Sequence, residues 1–163
     1  MIIEKLYNSW QKGKDDPKVL VRLAFECWHA LSERDFVGLS DKDLVKLKSV
    51  LIELKDYVKE SNIQDSYVLM HCGYMISLFL EFFYENGEDE LYNEIQALGT
   101  QMLQKATEID PSNQIAELMK LGNAQNEKAY RKLRKQIRPQ IEKEYRGESG
   151  FDEYFREVLT LEL

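Results

Sequence analysis

The chain has 163 residues, of which 44% are apolar and 31% are charged, and it carries a net charge of −7 at neutral pH. These values argue against a dedicated DNA-binding protein, because a pI near 5.0 gives most of the surface the wrong sign for binding phosphates. A chain of this length can bury a core without the help of a metal or a disulfide. We therefore predict a single domain over residues 1–163.

The sequence carries no targeting or membrane-spanning signal. Residues 1–5 lack the basic start and the apolar run of a secretory signal. The strongest apolar run, residues 66–80, is shorter than the roughly 20 residues that cross a bilayer. Cys27 and Cys72 lie far apart in the sequence, so no disulfide framework is indicated. We expect a cytoplasmic protein that does not bind membranes.

Apolar residues recur at helical spacing along almost the whole chain, and no stretch alternates as a half-buried strand would. This pattern predicts an all-α fold of about seven or eight helices. The predicted helices cover residues 2–11, 17 to at least 31, 40–58, about 65–84, about 88–108 and about 114–121, and two more begin at residue 126 and near residue 151.

Two helix starts carry explicit capping signals. Asp16 can cap the second helix, with Pro17 at the first helical position, where a missing N–H costs nothing. Ser40 and Asp43 form a capping-box pattern at the start of the third helix. Four lysines lie off the apolar stripe of the third helix and are expected on its solvated face: Lys42, Lys46, Lys55 and Lys59.

The later helices predict how the core is organised. The fourth helix is apolar on all sides, which is typical of a helix surrounded by others. Pro139 should kink or split the seventh helix near Arg138. Because the connections are short, we expect antiparallel neighbours and hence stacked helical hairpins.

Residues 105–113, with the sequence KATEIDPSN, resemble the end of a tetratricopeptide repeat and the Asp-Pro turn that follows it. Residues 121–124, LGNA, resemble the Leu-Gly core of the next repeat, one residue later than the usual spacing. The resemblance covers about 20 residues, and no second copy of the turn occurs. It implies a TPR-like or irregular α-solenoid or bundle with a concave protein-binding face.

Two Cys/His pairs could suggest a metal site or a thiol nucleophile, Cys27 with His29 and His71 with Cys72. Helical residues one or two positions apart point in different directions and do not easily chelate one ion. No third residue of a thiol nucleophile system accompanies them, and no phosphate loop or serine elbow occurs. We expect core packing for these residues, no metal, no cofactor and no enzymatic activity.

Acidity is concentrated in one region, because residues 60–104 contain no Lys or Arg. Like-charged pairs four residues apart cost a few tenths of a kcal/mol in a helix. One explanation is that the carboxylates favour the start of the fifth helix and keep the bundle soluble. The other is a negative surface for a cationic partner. The region contains Glu60, Asp65, Glu81, Glu85, Glu88, Asp89, Glu90 and Glu94.

The second explanation defines a candidate binding site. Its carboxylates would steer a partner and its two tyrosines would anchor it. We expect these side chains to gather on one outward-facing patch without cations from other helices. The predicted partner-binding residues are Glu81, Tyr84, Glu85, Glu88, Asp89, Glu90, Tyr92 and Glu94.

A basic cluster lies on the seventh helix. Single-stranded nucleic acids are gripped by cations interleaved with exposed aromatics, whereas Tyr130 and Tyr145 fall near the apolar stripe. We therefore expect ion pairs or a solvated face here, and no nucleic-acid partner. The cluster contains Lys128, Arg131, Lys132, Arg134, Lys135, Arg138, Lys143 and Arg146.

These observations lead to two hypotheses for the function, each a different kind of binding protein. The first is a non-enzymatic immunity or antitoxin type of protein that binds and neutralises a cationic protein through the acidic surface. The alternative is a TPR-like adaptor or regulator that binds a peptide in a groove between helical hairpins. An enzyme with a site built from scattered residues is a third class. The sequence does not predict the oligomeric state or the partner's identity.

Overall fold

The computed structural model describes residues 2–161, and this range is all-α, as predicted. Two 3-10 helices, Leu80–Phe83 and Asp89–Leu91, lie between α5 and α6, and the described range contains no strand. The nine α-helices of this range are α1 (Ile2–Lys12), α2 (Pro17–Ser32), α3 (Arg34–Val37), α4 (Asp41–Glu60), α5 (Ser66–Leu78), α6 (Tyr92–Ile109), α7 (Gln114–Asn123), α8 (Glu127–Glu144) and α9 (Gly150–Thr160).

Both predicted caps are confirmed. The Asp16 carboxylate accepts the backbone N–H groups of Lys18 and Val19 at 3.0 and 3.2 Å, which satisfies two of the unpaired donors at the start of α2. Ser40 and Asp43 form the complete capping box at the start of α4. These signals are local, so no tertiary contact is needed to specify where the two helices begin.

The predicted fourth helix is too long, because α5 ends at Leu78. Phe79 leaves the helical conformation, with φ −135° and ψ 66°, and a 3-10 helix follows. The Phe79 ring packs on Trp28 and stacks on Phe82, so aromatic packing favours this break. No Gly or Pro marks it in the sequence.

The predicted split of the seventh helix does not occur, since α8 continues through Pro139. Proline removes one helical hydrogen bond, the one that the carbonyl of Lys135 would accept. Both residues are exposed, so water can take the place of the missing donor.

One of the four lysines predicted to be solvated, Lys55, is buried instead and only 8% exposed. Its ammonium donates to the carbonyl of Phe83 at 2.9 Å and lies 3.2 Å from the Asp56 carboxylate. The carbonyl at the end of a 3-10 helix needs a donor, and Lys55 supplies it from α4. This contact joins α4 to the segment that carries the acidic residues.

The fourth predicted helix, now α5, lies at the centre of the core as expected, packed against α2, α6 and α7. Its contact with α6 is the most extensive in the described range. A Cβ atom at Gly73 would lie 3.0 Å from the carbonyl oxygen of Gly99, and the two glycines therefore allow the backbones to approach closely. The helix α8 packs mainly against α7 and α9.

Candidate functional site

The predicted partner-binding residues lie on one continuous segment, which runs from the 3-10 helix Leu80–Phe83 to the first turn of α6. We call residues 81–94 the acidic segment. Gly87, with φ +89°, makes the turn in its middle, a conformation that L side chains rarely adopt. All six predicted carboxylates are exposed: Glu81, Glu85, Glu88, Asp89, Glu90 and Glu94.

Five of these carboxylates form no ion pair within residues 2–161, and the exception is Glu94. Its carboxylate lies 3.2 Å from the ammonium of Lys59 on α4. A second lysine of α4, Lys48, donates to the Asn86 side chain at 2.7 Å. The expectation that no other helix supplies cations is therefore wrong for these two lysines.

Burial and the acidic segment act in opposite directions on the ammonium of Lys48. Its pKa is lowered, because burial outweighs the carboxylates of Glu85, Glu81 and Asp89, which act to raise it. One half-buried ammonium faces several exposed carboxylates, so it offsets only part of their charge. The acidic segment keeps a surplus of negative charge.

The two tyrosines predicted as anchors have different environments. Tyr84 is only 8% exposed, and the Lys48 ammonium lies 5.5 Å from its ring centroid. Tyr92 is 46% exposed. A ring that is buried in the free protein is not accessible to a partner. Tyr84 is therefore a core residue rather than an exposed anchor, and the role of Tyr92 stays a prediction.

A small cleft of about 220 Å³ adjoins the acidic segment. Glu81 and Glu85 line it from one side, and Val45 of α4 lines it from the other. Val45 is 63% exposed, which is high for a large apolar side chain next to a cleft. The sequence pattern did not indicate this feature, because Val45 lies in a helix whose apolar stripe was assigned to the core.

The basic cluster lies on α8 and, at Arg146, just after its end. Arg138 pairs with Glu142 at 3.1 Å on the same helix, and Arg131 lies 3.8 Å from Glu127, so the predicted ion pairs form in part. Arg134 is buried, and its guanidinium donates to the backbone carbonyl of Leu161 at 2.5 Å. Within residues 2–161 no ion pair links α8 to the acidic segment.

A larger cleft of about 560 Å³ lies where α5, α6, α7 and α8 meet. Its lining is mostly apolar and includes Leu78, which is 50% exposed, and the ring of Tyr130. The Ser77 hydroxyl also lines it and has no hydrogen-bond partner in the described range.

The two cysteines are buried, as expected, and burial raises the pKa of each thiol to about 12. A thiol that stays protonated at neutral pH is a poor nucleophile. His71 is buried between aromatic rings, while the half-buried His29 stacks on Phe25. Core packing of Cys27, Cys72 and His71 is confirmed.

Residues 2–161 hold no group of three or more His, Cys, Asp or Glu side chains placed to bind one metal ion. No helix in this range combines the length and the apolar character that crossing a membrane requires. No model of a known protein family, no curated protein and no solved structure matches the chain.

Proposed function

We propose that this chain is a cytoplasmic, non-enzymatic protein that binds and neutralises a cationic protein through its acidic segment, as immunity proteins and antitoxins do. The observation that carries the proposal is the charge of this segment. Five exposed carboxylates share one short stretch of backbone, and none has an ion-pair partner in the described range.

Complementary charge acts mainly on the rate of association. Clustered carboxylates raise the local concentration of a cationic partner and can speed encounter by one or more orders of magnitude at low salt. No ion pair joins the basic residues of α8 to the acidic segment in the described range. The acidic segment therefore suits capture of a basic protein.

Affinity purification from the native cell with matched charge reversals tests the proposal. The variant Glu85→Lys/Glu90→Lys reverses two charges of the acidic segment, and Glu148→Lys/Glu153→Lys reverses two exposed charges near the start of α9. We expect a basic protein, identified by mass, to be retained by the parent chain and by the control, and lost from the segment variant. Retention by all three chains, or capture of an acidic protein, contradicts the proposal.

The neutralising role is tested on the identified pair. Adding the purified chain in equal amount should abolish the partner's activity, and the association rate should fall about tenfold or more for Glu85→Lys/Glu90→Lys at low salt. If the partner keeps its activity when it is fully bound, the chain is a binding protein without a neutralising role.

The second candidate function, a TPR-like adaptor that binds a peptide, is favoured by the cleft between α5 and α8. Its volume of about 560 Å³ lies within the roughly 300–1,000 Å³ of ligand sites. Here the variant Leu78→Arg, at an exposed position of the lining, should abolish partner binding, whereas Glu85→Lys/Glu90→Lys should leave it intact. The two variants thus separate the two functions.

A further inference from the structure

Two basic side chains, Lys55 and Arg134, are buried in the described range, and their surroundings differ. The ammonium of Lys55 lies 3.2 Å from the Asp56 carboxylate. Arg134 is only 6% exposed, yet no carboxylate of residues 2–161 lies within ion-pair distance of its guanidinium. Burial of a charge is costly unless an opposite charge or hydrogen bonds compensate it. Arg134 is therefore a buried charge without a counter-charge in this range.

The guanidinium of Arg134 is held in place but not saturated. Of the five N–H donors that a guanidinium carries, the structure pairs one terminal nitrogen with the carbonyl of Leu161. The guanidinium carbon lies 5.9 Å from the ring centroid of Tyr130, which adds a weak cation–π contact. No other acceptor within residues 2–161 is hydrogen-bonded to Arg134. Its remaining N–H groups can therefore donate to a ligand, and a carboxylate is the acceptor that matches their geometry.

Arg134 lines the cleft of about 560 Å³ where α5, α6, α7 and α8 meet. This volume lies within the roughly 300–1,000 Å³ of small-molecule sites, which are mostly apolar and carry a few polar or charged groups. The cleft has this composition, with one buried charge beside an apolar wall. The apolar wall includes Leu78, Leu103, Met119, Leu121 and Leu159.

The charges of the lining favour an anion. Besides Arg134, the charged side chains of the lining are Arg131 and Glu127, which lie 3.8 Å apart and offset each other. The lining therefore keeps a single positive charge, that of Arg134. All three residues lie on α8, a helix with more basic than acidic side chains, so the local field also attracts an anion.

We propose that this cleft binds a small amphipathic carboxylate, such as a short fatty acid, whose carboxylate accepts from Arg134 while its apolar chain lies along Leu78 and Leu121. The inference goes beyond the proposed function, because the acidic segment contributes no residue to this cleft. A peptide bound through uncharged side chains would leave the Arg134 guanidinium without a counter-charge. A small anion therefore fits the cleft better than the peptide of the second candidate function.

Isothermal titration calorimetry with three related probes tests the cleft. Octanoate has both parts of the ligand, 1-octanol keeps the chain without the charge, and acetate keeps the carboxylate without the chain. At neutral pH we expect the parent chain to bind octanoate about tenfold more tightly than 1-octanol, because only a carboxylate compensates Arg134. Acetate should bind far more weakly than octanoate, since it buries almost no apolar surface.

Two arginines of α8 give a matched pair of variants. Arg134→Met removes the buried charge and keeps an unbranched side chain, and we expect octanoate to lose its tenfold advantage over 1-octanol. Arg138→Met removes the same charge from an exposed position outside the lining, so it should keep the advantage. Circular dichroism and unfolding curves show whether both variants are folded.

Leu78 keeps the proposal testable if Arg134→Met does not fold, because its side chain is 50% exposed and lines the cleft. Leu78→Glu places a carboxylate in the cleft, where it competes for Arg134 and repels octanoate, and Leu78→Gln is its uncharged match. We expect octanoate to bind Leu78→Glu about threefold more weakly than Leu78→Gln, and 1-octanol to bind the two variants alike. Equal octanoate binding by these two variants overturns the proposal.

Glu162 is a further carboxylate to test, because it follows Leu161 and lies outside the described residues. Glu162→Gln should leave the preference for octanoate unchanged. A preference that appears only in Glu162→Gln, that survives Arg134→Met or that disappears with Arg138→Met overturns the proposal. Failure of the parent chain to bind octanoate, or equal binding of octanoate and 1-octanol, overturns it as well. All of these outcomes leave the proposed function of the acidic segment intact.

Discussion

His71 is fully buried among aromatic rings, and its hydrogen bonds define its protonation. The Nδ1 atom lies 2.7 Å from the carbonyl oxygen of Tyr67, which can only accept, so Nδ1 carries the proton. The Nε2 atom then accepts from the Tyr145 hydroxyl at 2.8 Å. A second proton, on Nε2, would require the Tyr145 hydroxyl to accept instead of donate and would place a charge in the core. Burial accordingly lowers the pKa of His71 from 6.5 to about 4.

The sign of the resulting pH dependence follows from the lowered pKa. The unfolded chain binds a proton at His71 below about pH 6.5, whereas the folded protein does not until about pH 4, so stability falls as the pH drops through this window. We expect His71 to remove about 2 kcal/mol of the free energy of unfolding between about pH 7 and about pH 5. Urea unfolding at both pH values, compared with His71→Gln, measures this loss.

The chain offers its own control for this prediction, because its second histidine, His29, is half-buried and lies 3.6 Å from Glu33. The variant His29→Gln should keep the steep pH dependence, and His71→Gln should flatten it. If the His71→Gln variant does not fold, an NMR titration of His71 in the parent protein tests the lowered pKa instead. Titration of the His71 ring near pH 6.5 would contradict a lowered pKa.

At the scale of the elements, the contact between α5 and α6 depends on two glycines. A Cβ atom at Gly73 would lie 2.9 Å from Leu103 Cγ, 3.0 Å from the Gly99 carbonyl oxygen and 3.1 Å from the Leu103 nitrogen. A Cβ atom at Gly99 would meet the hydroxyl of Ser77 at 2.8 Å. Backbone atoms of a packed helix cannot move aside singly, so a methyl group here pushes the helices apart.

We expect Gly73→Ala to lower the free energy of unfolding by about 1–3 kcal/mol, although alanine is the better helix former. Gly150 is the matched control, because it begins α9 and a methyl group added there would meet no atom within 4 Å. Gly150→Ala should leave stability unchanged or raise it slightly. Denaturant unfolding of both variants gives the comparison, and equal stabilities would show that the helices do not depend on this close approach.

Helix starts could be predicted from the sequence because their signals are local, as at Asp16 and Ser40. The end of α5 could not, because residues 78–83 are almost all apolar and only the packing of Phe79 on Trp28 distinguishes a break from a continued helix. The close approach at Gly73 was likewise invisible, since a glycine inside a helical pattern has no unique meaning.

Some features of the candidate site could likewise be predicted from the sequence, and others could not. The exposure of its carboxylates was predictable, because Asp and Glu are almost never buried without a partner. The burial of its tyrosines and the presence of nearby cations were not predictable, since both depend on how α4 packs beside the acidic segment. That packing buries Tyr84 and brings Lys48 and Lys59 to residues distant in the sequence.

At the scale of the whole molecule, opposite charges occupy separate places. The acidic segment lies between α5 and α6, near α4, while the basic cluster lies on α8 beside α7 and α9. A net charge of −7 therefore describes the molecule incompletely, because the local field that a partner meets depends on the element it approaches. The effects of local charge and net charge can be separated by two substitutions that change the net charge equally but lie at different distances from the acidic segment.

Lys59 and Lys128 provide that separation, since replacing either lysine with glutamine changes the net charge equally. Lys59→Gln also frees the Glu94 carboxylate within the acidic segment, whereas Lys128 is exposed near the start of α8. At about 0.1 M salt the screening length is about 10 Å, so only nearby charges matter. We expect Lys59→Gln to bind a fluorescently labelled synthetic peptide of lysine and serine about threefold more tightly than the parent chain does, and Lys128→Gln to bind it as the parent chain does. Equal gains in both variants would mean that cationic partners respond to the net charge of the molecule and that the acidic segment has no special part in attracting them.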